Sequence, residues 1–598
     1  MGYRNKDKKG RKTSSDSLTN QQRKEVISII EDTVKRQDQD SPKLTRRNLL
    51  SIGLGTTLLS GMSNGTAEAT PLQGETDIAS TAQASGDTRL STLIVYKDGS
   101  ETVVFDREGE IARDADAAAA LQAADNAMST PYQIHLTAGT YIFTGTYSDG
   151  GLWQINTDDV LVTGEGKPSE IRWDYTSRSG NEGAKLIEVR AEGVSFRDFY
   201  IDGQVDEILA NGGTIDNSDD GHNIAVFEKD FTMQGVYTWY SPGDGVEPFD
   251  NAINSSIVNN HFHENWEHNV HLDGADRTTV VGNIMDGEVN NACVHLYTQN
   301  STEGCIIADN VIRNSRNSSG IKYLGPGEYK RCIIANNTIR DNGEYGIVGG
   351  STGGFVISGN HVYNNGNAGI SPGGGSLIAN NHIWNNGTQG IRLAGDCVVT
   401  GNYIRDNVGQ GIWLFTQANN LTLTNNIIKN NGGSGISIKL GGDNIIIEDN
   451  LVSGHSNGSN SAGILVRSKN PLHDVLVQGN VCKNNDLDID HQTNQTTAAD
   501  HEGVYIVNNL CSGPVRTIDR EGGSGVMSRT VISYNHVGAV LGDRLACVFE
   551  NYGDYKAYSG PPPTPFEGIK YLDDGSNRAD SNVGYRMYDG SSWVDIAG

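Results

Sequence analysis

Asn360-His-Val-Tyr-Asn-Asn-Gly-Asn-Ala-Gly-Ile370 is one of five copies of an eleven-residue unit, Asn-x-Ile/Val-x-Asn/Asp-Asn-x-x-x-Gly-Ile, whose other copies begin at Asn337, Asn381, Asn402 and Asn426. Working outward from these, anchor asparagines fall at positions 260, 283, 310, 337, 360, 381, 402, 426, 450, 480, 509 and 535, in steps of 21 to 30 residues. Between anchors, apolar and polar residues alternate over short runs, as in strands with one buried face. The Asn and Gly between the runs suit tight bends. Glycine accepts positive φ freely, and asparagine tolerates it while its amide can bond to the asparagine one repeat later.

Such runs are too short to bury a core alone, so each repeat has to stack on the next as one coil of a parallel solenoid. Leucine-rich, propeller and helical repeats lack the required residues or period here. The expected fold is all-β, a right-handed parallel β-helix with a short helical N-terminal cap and a small β-rich C-terminal appendage. The columns agree. Ile307, Ile334, Ile357, Ile378, Val399, Leu423, Ile447 and Val477 stand three residues before their anchors, and Cys305, Cys332 and Cys397 stand five before theirs as expected core residues. The solenoid is expected over 131–555, after a cap region 70–130 containing the helical run 114–125. A Pro-rich linker at Ser559–Pro565 leads to the C-terminal module within 556–598.

Only 36% of the 598 residues are hydrophobic and 74 are glycine, which argues against one large globular core. Acidic residues exceed basic ones, 73 to 46, a balance that repels nucleic acid and anionic membranes. The seven cysteines show neither disulfide nor zinc spacing. Arg46-Arg47 before the apolar, Gly-rich run to Met62 resembles a twin-arginine export signal. Ala67-Glu68-Ala69 follows as the cleavage site, so residues 1–69 are expected to be removed and the mature chain to be secreted or displayed at the cell surface. No later segment is long and apolar enough for a transmembrane helix.

In the regular rungs the residue after Gly-Ile points outward: Val348, Ser371, Arg392, Trp413 and Ser437. The register extends without a gap to His271. One extra turn residue in each of the next two rungs brings in His295 and Lys322, and Gly245-Val246 one rung earlier brings in Glu247. Neighbouring strands lie about 4.8 Å apart, so these four are expected in one outward row. Six of the fourteen histidines, His222, His261, His263, His268, His271 and His295, fall in this region, and histidine is the commonest general acid or base.

Residues 90–545 resemble the pectate-lyase-like superfamily of right-handed β-helices, which includes pectate and alginate lyases, polygalacturonases and mannuronan epimerases. Ser241-Pro-Gly-Asp-Gly-Val-Glu247 is similar to the polygalacturonase glycine-aspartate motif, with Gly245 where those enzymes have a second aspartate. Gly320-Ile321-Lys322 is similar to their Arg-Ile-Lys without the arginine, and Glu267-His268 is faintly similar to the epimerases' Asp-Pro-His-Glu. The resemblance implies a carbohydrate-active protein whose partner is a polysaccharide or cell-surface glycan.

Uronate elimination or epimerisation needs a base, a cation for the carboxylate and a proton donor. His271, His295 and Lys322 have those capabilities, with Glu247 and Asp244 completing the expected catalytic set. Arg316 is the expected carboxylate clamp, and Arg392, Trp413 and Trp266 the further sugar contacts. Two alternatives stay open: hydrolysis by a carboxyl pair from Asp244, Glu247 and Asp250, and non-catalytic glycan binding. No cofactor is demanded. Calcium is possible on Asp216, Asp219 and Asp220, and a transition metal on His261 and His263.

Overall fold

The computed structural model describes residues 91–128, 131–144, 151–174, 185–211, 215, 221–288, 290–350, 353–417, 419–455, 461–468, 470–493, 501–513, 515–520, 527–528, 531–533, 535–537, 547–552, 570–573, 584–588 and 593–596. The export segment 1–69, the Asp216, Asp219 and Asp220 turn and the Ser559–Pro565 linker lie outside them.

Each coil gives one short strand to each of three long parallel sheets, as Thr232–Gln234, Tyr237–Trp239 and Asp244–Pro248 do in succession. Among the described residues the sheets hold twenty, sixteen and sixteen strands, the first including the antiparallel cap strands, and together they form a right-handed β-helix. Inward side chains such as Ile357, Val362 and Ile370 are fully buried, and Cys305, Cys332 and Cys397 lie among them.

The first corner of each coil, between the first and second sheets, explains the anchor column. The residue before the anchor takes positive φ, as Asn336 (55°) and Gly359 (67°) do. The anchor amide then stacks. Asn360 accepts from the backbone N–H and the side-chain Nδ2 of Asn337 at 2.9 and 3.0 Å, and its own Nδ2 donates to Asn381 and to the Ile334 carbonyl. Each such bond adds roughly 0.5–1.5 kcal/mol, but leaving a buried amide unpaired costs about 1–3 kcal/mol. A second ladder, Asn342–Asn365–Asn386–Asn407–Asn431, closes the corner between the second and third sheets.

The glycine of each Gly-Ile pair has a reason other than the expected one. Gly346 has no positive φ. A Cβ there would sit 2.3 Å from Val362, 2.6 Å from the Gly369 carbonyl and 3.0 Å from the Asn365 amide, so the position has no room for a side chain.

At the amino-terminal end, α1 (Ala117–Ala127) is capped by the Asp116 carboxylate, which accepts from the Ala118 N–H, and it buries Ala117, Ala120, Leu121 and Ala124. The helix is joined by an antiparallel meander, β1 (Ser91–Asp98), β2 (Glu101–Asp106) and β3 (Gly109–Asp114). β1 also pairs in parallel with β4 (Tyr132–Leu136) of the first coil, so the cap extends a sheet as well as covering the core. A second, short helix, α2 (Val205–Ala210), falls outside the cap region. At the other end Lys570–Asp573, Gly584–Tyr588 and Trp593–Ile596 form a separate antiparallel sheet.

Candidate active site

The register brings together the row read from sequence. Val246 pairs with Val270, which sets Glu247 beside His271; His271 then pairs with His295, and His295 with Lys322. Lys322 continues into Val348 and Ser371, and Arg392 into Trp413 and Ser437. The row lies on the outer face of the third sheet.

It is not an open surface, which corrects the expected exposure. Both faces of Asp244–Pro248 are buried, Glu247 is 2% exposed and His295 8%. His271 and Lys322 are part-exposed.

Asp244 also joins the cluster. Strand parity along Asp244–Pro248 would turn it away from Glu247, yet both carboxylates reach His271. Asp244 accepts from the backbone N–H of His268 at 3.0 Å and lies 2.7 Å from that residue's Nδ1. Its other oxygen is 3.2 Å from His271 Nδ1 and 3.4 Å from His222 Nδ1. Glu247 lies 2.8 Å from both His271 Nδ1 and His222 Nε2. Neither nitrogen of His222 makes a hydrogen bond despite these separations. The rings of His268, His271 and His295 stand 4.6 to 4.9 Å apart, and those of His271 and His295 are stacked within 6°.

These neighbours drive the histidines apart in acidity. Burial pulls His271 down, but Asp244 and then Glu247 outweigh it and hold the ring well above its ordinary range. Burial likewise opposes the rise of His222, which Glu247 and Asp244 carry to about 10. Burial favours protonated Asp244, yet His268 and His271 hold that carboxyl well below its ordinary value. His295 moves the other way. Burial, reinforced by His268, His271 and Lys322, keeps it neutral, and both its nitrogens are unpartnered. Paired titratable groups pushed in opposite directions are the mark of an acid–base site.

Lys322 donates to Asn291 Oδ1 at 3.0 Å. The Asn291 backbone N–H in turn meets Glu288, a fully buried carboxyl that also takes the Ser315 hydroxyl. Burial pushes Glu288 up to about 8.

The other expected site residues fare differently. Arg316, expected as an open carboxylate clamp, is paired with Glu264. Trp266 stands in the corner between the second and third sheets, its carbonyl accepting from Asn290. Arg392 lies on the row's face four rungs beyond His295, 3.9 Å over the Phe415 ring, beside Trp413 and bonded to the Tyr345 hydroxyl at 2.7 Å. His261 and His263 lie on the second sheet against Trp239, and the three-residue ligand sets among the described residues lie elsewhere. Asp250 forms no part of the cluster. A Cβ at Gly245 would sit 2.6 Å from the Asn269 carbonyl, so the second aspartate of the polygalacturonase motif has no space here.

Sequence reasoning noticed His222 and His268 only as members of a histidine-rich stretch. His222 pairs in register with Asp244 one rung on, so the signal was the continuation of that strand column by one more coil.

The model of the "Right handed beta helix region" family matches residues 292–452, which hold the regular rungs. No curated protein matches the chain. Among solved structures, the tailspike protein of Escherichia coli bacteriophage HK620 in complex with pentasaccharide is 11% identical, covering 64% of this chain and 74% of its own, with a TM-score of 0.44. The A-module of an Azotobacter vinelandii mannuronan C-5 epimerase is 16% identical over 71% of this chain and 96% of its own, TM-score 0.30. The Dettilon tailspike protein is 15% identical over 57% of this chain, TM-score 0.35, and the chain spans 62% of that protein's length. At these identities the likeness is one of fold.

Proposed function

We propose that this chain acts on an anionic, uronate-containing polysaccharide, removing the proton beside the uronate carboxylate and expelling the glycosidic oxygen by β-elimination. The observation that carries this reading is the pairing, on adjacent rungs, of a neutral histidine with two unpartnered nitrogens, His295, and an ammonium, Lys322. His295 accepts the proton, and Lys322 faces the carboxylate whose charge grows as the proton leaves. Once protonated, His295 can return the proton to the leaving oxygen on the same face. Epimerisation needs a donor on the opposite face of the sugar, whereas the groups of this row all approach from one side. Hydrolysis is less favoured, because Asp244 and Glu247 are both occupied by imidazoles at 2.7 to 3.4 Å and buried away from a bond they would have to flank.

Arg392, Phe415 and Trp413, further along the same face, provide a platform for distal sugar units, since aromatic faces and guanidinium groups suit acidic sugars. The Arg46-Arg47 segment supports export by the twin-arginine route, which puts the protein where such polymers occur.

The test is to incubate the protein with a panel of polyuronates and follow the ultraviolet absorbance of the unsaturated product, with solvent-deuterium incorporation read in parallel. Unsaturated ends are expected with at least one polymer and their loss in His295→Gln. Deuterium incorporation without unsaturation would make the protein an epimerase; neither signal with any polymer would reject proton abstraction.

A further inference from the structure

We infer that His222, Asp244, Glu247, His268 and His271 form a binding site for one divalent transition-metal ion of the zinc type. Two overlapping sets, Asp244 with His268 and His271, and His222 with Asp244 and Glu247, each bring one ligand atom per residue within 4.8 Å of the others. The five residues come from three successive coils, with His222 on one, Asp244 and Glu247 on the next, and His268 and His271 on the third. Parallel strands carry His222, Asp244, Glu247 and His271, and His268 stands in the turn that leads into Val270–Asp273, a fixed frame of the kind a preorganised ligand set requires.

The hydrogen bonding inside the cluster is incomplete in a way that points to an ion. His222 is fully buried, yet neither ring nitrogen makes a hydrogen bond. Its Nε2 lies 2.8 Å from Glu247 Oε2, an oxygen that is also unpartnered. A buried ring nitrogen and a buried carboxylate oxygen this close, with no hydrogen bond between them, would both be satisfied by a cation within reach of the two.

Charge leads to the same conclusion. Asp244 and Glu247 are 1% and 2% exposed, and histidines are their ion-pair partners among the described residues. Two buried carboxylates need two positive charges close by. Without a metal, two imidazolium rings would have to sit side by side in the same enclosure. One divalent ion with neutral imidazoles balances the site in a single step. The ligand chemistry selects the class: imidazole nitrogen with carboxylate oxygen suits zinc and its first-row neighbours, whereas calcium takes an all-oxygen shell. This site is distinct from the expected metal positions at His261 and His263 and from those at Asp216, Asp219 and Asp220, which lie outside the described residues.

The inference stands on burial, geometry and charge, and does not rest on the elimination reaction. Should both hold, the ion would lie beside His295, whose ring stacks on His271 at 4.9 Å, and would add a Lewis acid next to the base.

The full-length protein, stripped with chelator, is titrated with Co²⁺ as a spectroscopic probe, and bound metal is counted after desalting. One retained Co²⁺ per chain, with a ligand-field spectrum that Zn²⁺ abolishes, is the expected result. Asp244→Asn and His268→Gln should each weaken uptake by about tenfold or more, while His261→Gln leaves it unchanged. Wild-type protein that retains no stoichiometric Co²⁺, or Asp244→Asn protein that binds as wild type does, would overturn the site. If the variants fail to fold, the wild-type chain decides alone, because one tightly held Zn²⁺ must raise its melting temperature; no rise overturns the inference. Cobalt uptake without unsaturated product keeps the metal site and removes the reaction, and elimination by metal-free protein with no cobalt uptake does the reverse.

Discussion

Between Asn337 and Ile436 every coil closes its second corner with a buried asparagine and, four residues later, a glycine, while between Ser241 and Lys322 that corner changes at every turn. The ladder positions there read Ser241, Asn265, Glu288 and Ser315, and the glycine positions read Gly245, Asn269, Cys293 and Gly320. The two changes are linked. A Cβ at Gly245, Gly320 or Gly346 would lie 2.8 to 3.0 Å from the ladder amide of the next coil, on Asn265, Asn342 and Asn365 respectively. Asn269 and Cys293 precede the coils whose ladder residue is Glu288 or Ser315, so the amide that forbids a side chain is missing. The outward column changes on the same coils, from Val348 and Ser371 to Glu247, His271, His295 and Lys322. Repetition therefore builds the frame, and the site occupies the coils where repetition lapses.

The largest effect should separate the two regions by function. His295→Gln is expected to lower the elimination rate about 10²- to 10⁴-fold, the usual worth of a general base, with thermal stability unchanged. Ser371→Ala, two coils past Lys322 in the same column, should leave the rate unaltered. Equal losses at both positions would remove the distinction between site and frame.

Stability should show the opposite ranking. Asn386→Ala takes the acceptor from one side-chain N–H and from the backbone N–H of Asn365, and removes the bonds Asn386 makes to Asn407 and to the Val362 carbonyl. With buried unpaired groups costing about 1–3 kcal/mol each, denaturant unfolding should register a loss of about 3 kcal/mol. Ser315→Ala, in the irregular ladder, should cost about 1 kcal/mol. A larger loss at Ser315 than at Asn386 would show that the regular ladder is not the main support.

The repeat made the frame legible in sequence, because a residue's inward or outward direction follows from strand parity alone. Register carried the outward row over four coils, even through two lengthened turns, because each coil has to stack on the last. Burial of the row was not legible, since it depends on how the chain lies outside the solenoid. Nor was the turning of Asp244 toward His271, which runs against strand parity along Asp244–Pro248. The meander β1–β3 escaped notice because its strands belong to the cap and lack the anchor asparagine.

Two foreign residues in the second ladder should give opposite pH dependences. Glu288 is held protonated by burial, its carboxyl raised from 4.5 to about 8. Its contribution is complete below pH 4.5 and is lost as pH rises toward 8, because the unfolded chain ionises first. His455 replaces an asparagine between Asn431 and Asn485, and burial lowers it from its ordinary 6.5. Its contribution is complete above pH 6.5 and shrinks below it, as the unfolded chain takes up the proton first. Each slope is at most about 1.4 kcal/mol per pH unit. Glu288→Gln should flatten the alkaline arm of the stability profile and His455→Asn the acid arm; variants that leave their own arm unchanged would show that other groups set it.

The smallest effect tests the link between ladder and glycine directly. At the irregular corner the Asn265 amide donates to Asn269 Oδ1 at 2.7 Å, in place of a ladder oxygen, and Asn269 donates in turn to the Gly287 carbonyl. Asn269→Gly alone therefore leaves one N–H of the Asn265 amide unpaired, the other still donating to the Thr238 carbonyl at 3.2 Å. Glu288→Asn alone restores a ladder oxygen but sets its amide against the Asn269 side chain, as a Cβ at Gly346 would meet Asn365. Together the two changes rebuild the corner found in the regular coils, with the introduced amide oxygen accepting from Asn265 and no Cβ in the way. The double variant should therefore be more stable than the sum of the single losses by about 1 kcal/mol, within the range seen for residues in contact. Additivity within about 0.5 kcal/mol would mean that the glycine and the ladder amide vary independently, and that the irregular coils are held together by something other than a relaxed version of the regular corner.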